Sequence, residues 1–281
     1  MRSLGALTTW PVGEAAAGVL VRDRANRSTV SVAGSQGPRD RALPWASVTK
    51  LCTALAVLVA MEEGTLDLDQ PAGPPGSTVA HLLAHASGLD PEGRAVLAAP
   101  GRRRIYSNGG YQILGDLLAE RSGLAFGVYL GEAVLEPLHM VGARLDPGAS
   151  PAAGLNGSLN DLLALGRELL APTLVDPATL ARATAVAFPG LAGVLPGFGR
   201  QDPCDWGFGF EIRGHKRPHW TGELCSPRTF GHFGQSGCFL WVDPDVEVAC
   251  AVLTDTPFGD WAATDWPPLS DAVLAELGHD R

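Results

Sequence analysis

From Ser47 to Glu63 the chain reads as one helix, Ser-Val-Thr-Lys-Leu-Cys-Thr-Ala-Leu-Ala-Val-Leu-Val-Ala-Met-Glu-Glu, with Gly64 as its stop signal. Beyond the first turn it is apolar nearly all round. A helix without a polar face has to be buried on every side, so the rest of the chain must supply layers that enclose it. The material is available: 46% of the 281 residues are hydrophobic and only 18% are charged. That length suits one large core or two intimate ones.

Strand signals lie at the two ends of the sequence. Residues 16–21 and 28–32 read as strands joined by the polar turn 23–27. Residues 208–213, 238–242 and 246–253 read as strands again, the last two joined by Asp243-Pro244-Asp245. Between them come helical segments at 79–86, 110–121 and 159–170, the last opened by Ser158 and Asp161 in a capping-box pattern. Residues 270–277 close the chain as an amphipathic helix. The pattern predicts an α+β fold in which the termini build an antiparallel sheet flanked by helices (1–66 and 196–281). A mainly helical subdomain (67–195) is inserted between its halves.

Composition excludes several classes. The net charge is −9 and the only basic cluster is Arg102-Arg103-Arg104, read as a solvated turn, so no nucleic-acid partner is expected. No apolar run approaches a membrane span, and no stretch near the N-terminus has the form of an export signal; a cytoplasmic protein without a membrane partner is expected. Five cysteines without C-x-x-C spacing suit buried, reduced thiols, although a Cys204–Cys225 bridge stays open. His81 and His85, and His215 and His219, have i, i+4 spacing, but His81 is not followed by Glu and Pro218 interrupts the second pair. Neither metal nor cofactor is expected.

The basic residues comprise 19 Arg and two Lys, Lys50 and Lys216. Lys50 stands one helical turn after Ser47 on the same face. A serine hydroxyl needs a base to become a nucleophile, and a Lys amine is a base only when burial or positive neighbours lower its pKa. Taken alone, Ser47 is better read as an N-cap and Lys50 as a lysine reaching solvent. Two further clusters give the pair company. Tyr106-Ser107-Asn108 opens the helix at 110; beside a Lys ammonium the Tyr106 phenol is expected to have a lowered pKa and to share a proton with Lys50. Asn108 offers a donor and an acceptor. Gly231-His232-Phe233-Gly234-Gln235-Ser236-Gly237 precedes a strand, where glycines allow close approach and the Gln235 N–H could serve an oxyanion.

With these residues the chain resembles the serine β-lactamase/penicillin-binding superfamily, in particular class C β-lactamases, D,D-carboxypeptidases and family VIII esterases. The motifs S-x-x-K, Y-x-N and [KH]-x-G stand here, in order, as Ser47-Val48-Thr49-Lys50, Tyr106-Ser107-Asn108 and His232-Phe233-Gly234. Residues 81–89 and 135–140 are similar to the family as well, and the resemblance runs from about 16 to 277. It implies Ser47 as the acylated nucleophile, Lys50 with Tyr106 as the general-base system and Asn108 as the group that positions Lys50 and substrate. The N–H groups of Ser47 and Gln235 would form the oxyanion hole.

The third motif departs from K-T-G. His232 is largely neutral at pH 7 and Phe233 has no hydroxyl, which weakens recognition of a substrate carboxylate and makes the wall of the cleft apolar. The chain is shorter than most class C relatives, so the cleft is expected to be either more open or capped by the mobile Gly/Pro-rich segment 189–203. The expectation is a carboxylesterase acting on small uncharged esters. A β-lactamase or D-amino-acid-specific peptidase is the alternative, and a non-catalytic penicillin-binding-like module the second. The partner is a small-molecule ester or amide; the sequence leaves the oligomeric state open.

Overall fold

The computed structural model describes residues 1–279. Its centre is a six-stranded antiparallel sheet of β1 (Ala15–Arg22), β2 (Val30–Gln36), β3 (Glu211–Ile212), β4 (Phe230–Gly234), β5 (Cys238–Asp243) and β6 (Val248–Thr254), in the order β2-β1-β6-β5-β4-β3. The N-terminal hairpin joins the C-terminal strands through β1 and β6, with Ala15 opposite Thr254 and Val21 opposite Val248.

The inner strands are buried on both faces, and their side chains alternate between two cores. Leu20, Leu240, Val242, Ala249, Ala251 and Leu253 face a large aliphatic core. Val19, Phe239, Trp241, Val248, Cys250 and Val252 face a second, rich in tryptophan and phenylalanine. This is the period-two geometry of a sheet covered on both sides. The first core is filled by α1 (Thr49–Glu62) and by α3 (Leu159–Leu170), whose Ser158–Asp161 capping box forms as the spacing predicts. Although α3 lies within the 67–195 span, it packs directly on β1 and β6. The second core is closed by α4 (Asp260–Glu276) and a 3-10 turn at Ser3–Thr9.

Three expectations need correction. The last helix begins at Asp260, ten residues early, and runs through Pro267 and Pro268. Each proline removes one backbone donor, but Trp266, Leu269, Val273 and Leu274 bury the inner face in the aromatic core, and that packing outweighs the missing bonds. The 208–213 strand shrinks to Glu211–Ile212. Gly209 takes the left-handed region at φ 98°, and the Phe208 N–H donates to the Ala183 carbonyl rather than to a neighbouring strand. The 189–203 segment forms a hairpin, Gly193–Leu195 against Gly199–Gln201. All five cysteines are free and buried, so Cys204 and Cys225 do not pair. No helix among the described residues is long and apolar enough to cross a membrane.

Candidate active site

Ser47 sits in a 3-10 turn, Ala46–Val48, that leads into α1. The residue before it, Ala46, has φ 43°, a left-handed conformation that a non-glycine residue adopts only where its surroundings impose it. Here they do. Trp45 is fully buried, its N–H donates to the Leu155 carbonyl, and its own carbonyl accepts from the Cys238 thiol. Strand β4 presses on the same carbonyl: a Cβ at Gly234 would lie 2.3 Å from it. The glycine of the third motif is thus required by close passage of β4 beside the turn that carries Ser47.

Lys50, in the first turn of α1, has no exposed surface. Its Nζ is 3.1 Å from Ser47 Oγ, 2.8 Å from Asn108 Oδ1 and 2.8 Å from the Ala152 carbonyl oxygen. Among the described residues no carboxylate forms an ion pair with it. Burial therefore holds its pKa well below the ordinary amine value, only weakly opposed by the charge of Glu92. A neutral amine has two N–H bonds and one lone pair. With Asn108 and Ala152 as acceptors, the lone pair is left for the Ser47 hydroxyl.

Tyr106 completes the cluster. Its hydroxyl donates to Ser47 Oγ at 2.8 Å and lies 3.5 Å from His232 Nε2, while Lys50 Nζ lies 4.8 Å from its ring centre. The expected lowering of its pKa is not what the surroundings produce. Burial raises it, with the Ser47 bond a smaller opposing effect. Asn108 is the first residue of α2 (Asn108–Ser122), capped by Ser107, whose Oγ accepts from the Gly110 N–H. In β4, His232 places Nδ1 2.6 Å from the Phe233 carbonyl oxygen, which puts the proton on Nδ1 and the lone pair on Nε2. Burial pushes its pKa down to about 3, so His232 is neutral.

Phe233 and Gln235 differ in placement. The Phe233 ring borders the cleft but sits mostly in the aromatic core, 4.9 Å from Phe258 and edge-on to Phe198 and Trp266. Gln235 lies in the exposed turn after β4, anchored by the Phe258 N–H on its carbonyl. Among the described residues the backbone N–H groups of Ser47 and Gln235 find no protein acceptor.

These groups open on a cleft of about 730 Å³ whose walls include Leu97, Ile105, Val194, Leu195, Pro196 and Trp206. The 193–201 hairpin forms one wall and is tied down by Phe198, which packs on Phe233 and Phe258. Arg104, read as part of a solvated turn, is instead buried. Its guanidinium donates to the carbonyls of Ala84, Ala187, Phe188 and Cys204 and so fastens three loops behind the cleft. Arg102 and Arg103 are exposed, as a turn requires. His81 bonds to Thr78 and stacks on Phe188, and His85 is turned toward Ser107. Sequence reasoning missed the Ala152 carbonyl, because backbone acceptors leave no mark in residue type. It also missed Glu211, a buried carboxylate at the cleft bonded to Lys216, His219 and Trp220. The scarcity of lysine was a usable signal for Lys216.

The beta-lactamase family model matches residues 10–274. The chain is 52% identical to a beta-lactamase (Mb2281c) from Mycobacterium bovis, covering 98% of each chain with a TM-score of 0.93. Two more distant structures share the fold. The octameric penicillin-binding protein homologue from Pyrococcus abyssi is 22% identical, with 98% of this chain and 75% of that one covered at a TM-score of 0.70. EstCE1, a hydrolase with promiscuous acyltransferase activity, is 19% identical, with 97% of each chain covered at 0.73. No curated protein matches. A match over nearly the whole length, together with so similar a relative, agrees with the motif order: the chain belongs to the beta-lactamase family of serine hydrolase folds.

Proposed function

We propose that the protein is a serine hydrolase that forms an acyl-enzyme on Ser47 and acts as a carboxylesterase on small, uncharged esters. One observation carries this reading: Ser47 Oγ lies within hydrogen-bond reach of both a buried amine without a counter-ion and a buried phenol. Lys50, neutral, takes the Ser47 proton as Oγ attacks the ester carbonyl. The N–H groups of Ser47 and Gln235 receive the developing oxyanion. Tyr106, kept protonated by burial, gives its proton to the leaving alkoxide, and the proton held by Lys50 replaces it. Water then attacks the acyl-enzyme and releases Ser47 as a hydroxyl. Asn108 orients Lys50 and offers its amide to the substrate.

An uncharged ester is favoured because His232 is neutral and Phe233 offers no hydroxyl, so the third motif presents no cation to a substrate carboxylate. A second reading, hydrolysis of a β-lactam, draws on the 52% identical relative described as a beta-lactamase. A non-catalytic module fits less well, since a buried lysine without a carboxylate is costly to retain for packing alone. The test offers p-nitrophenyl acetate and butyrate, nitrocefin and a D-Ala-D-Ala peptide to the wild type and to Ser47→Ala. Ester turnover that disappears in Ser47→Ala, with an acyl adduct on Ser47 by mass spectrometry, is the expected result. Faster cleavage of nitrocefin than of any ester would favour the lactam reading. No turnover and no adduct would sink the hydrolase.

A further inference from the structure

His85 lies outside the three motifs, yet it ties down the residues on either side of Tyr106. Its ring Nδ1 accepts the Ser107 N–H at 3.1 Å, and its backbone carbonyl accepts the Ile105 N–H at 2.9 Å. The ring also packs on Tyr106, with centres 4.5 Å apart, and meets Trp206 edge-on at 4.6 Å. Two unfavourable features accompany these contacts. His85 has φ 53°, in the left-handed region, and its Nε2 is buried without a hydrogen-bond partner. Since Nδ1 accepts, the proton must sit on that unpartnered Nε2. An unsatisfied buried donor is destabilising, and a left-handed non-glycine backbone adds to the cost. A packing role alone would be filled with less strain by an apolar ring. Only a side chain with an acceptor near the backbone can take the Ser107 N–H.

We propose that His85 is a positioning residue, whose Nδ1 and carbonyl clamp both amides flanking Tyr106 and so hold the phenol on Ser47 Oγ. The inference rests on Tyr106 acting in the reaction proposed above. Imidazole is suited to the task while it is neutral, and burial, aided by the Arg104 cation, keeps its pKa well below the ordinary value. Arg104, two residues before Tyr106, anchors the approach to the same segment.

The experiment compares His85→Asn with His85→Phe. Asn tolerates a left-handed backbone and places Oδ1 near the position of Nδ1, whereas Phe keeps the ring and loses the acceptor. With p-nitrophenyl butyrate, His85→Phe is expected to lose about 10²-fold in kcat with KM unchanged, the scale of a small misplacement of a reacting group. His85→Asn should stay within about threefold of wild type, since its acceptor preserves the geometry. Equal activity of the two variants, whether both high or both low, would overturn the clamp. Should His85→Phe not fold, His85→Asn decides alone: a kcat reduced more than about tenfold in a folded protein rejects the proposal. Failure of the hydrolase reading is recognised separately, by a wild type that turns over no ester and acquires no adduct on Ser47.

Discussion

Lys50 and Lys216 are the only lysines in the chain, and both are buried, but their surroundings differ in one respect. Around Lys50 every hydrogen-bond partner is uncharged: a hydroxyl, an amide oxygen and a backbone carbonyl. Lys216 also meets two backbone carbonyls, of Asp205 and Ile212, but its third partner is the Glu211 carboxylate. Burial alone would raise the pKa of Glu211. The charges of Lys216 and His219 overcome that and hold it far below the usual carboxylate range, so the pair is ionic. The same side chain at the same depth therefore fits the proposed base in one place and an ion-pair partner in the other. The counter-ion decides which.

The largest expected effect comes from Lys50→Arg. A guanidinium does not give up its proton, so acylation of Ser47 should slow about 10³-fold, read from the burst phase with p-nitrophenyl butyrate. A burst of wild-type rate would erase the distinction between the two lysines. Next is Lys216→Met, which leaves Glu211 buried without its cation. Unfolding free energy should fall by about 3 kcal/mol in urea titrations, and adding Glu211→Gln should recover most of the loss. No recovery would mean that packing, not the ion pair, dominates there.

Asn108→Asp sharpens the comparison by giving Lys50 the carboxylate that Lys216 already has. An anion about 2.8 Å from Nζ favours the ammonium and raises its pKa. The amine is a base only above its pKa, so the acid limb of kcat/KM should move to higher pH by about one unit or more, with about tenfold less activity at neutrality. An unmoved limb would remove Lys50 as the titrating base. The smallest effect is assigned to Arg228→Ala. Arg228 pairs with Asp245 at 2.8 Å, but its side chain is 71% exposed, and the loss should stay below about 0.5 kcal/mol. A larger loss would show that burial is not what separates the Lys216 pair from an ordinary surface contact.

The site was more legible in the sequence than its supports. Ser47, Lys50, Tyr106 and Asn108 stood out because local spacing on helices and at a helix start fixes how they project, and the structure brings them together. The fold was legible because the hydrophobic pattern changes character between the ends and the middle. What could not be read depends on partners far along the chain. Arg104 looked like a surface charge because its four carbonyl acceptors have no residue signature. The direction of the Tyr106 pKa shift depended on how far its hydroxyl is shielded from water, which spacing does not encode. The early start of the last helix was hidden by Pro267 and Pro268, whose local preference the aromatic core overrides.

The pairing of β1 with β6 has a consequence for how the protein is made. A ribosome delivers β1 and the Ser47 helix well before β1's inner neighbour, residues 248–254, which emerges more than two hundred residues later. His232 and Gln235 also arrive late, from the strand and turn that abut the Ser47 segment. Until then the nascent chain carries a nearly all-apolar helix with no sheet to cover it, which makes long-range pairing slow and the unfinished chain prone to association. The segment that carries Ser47 is made long before the strand and turn that abut it.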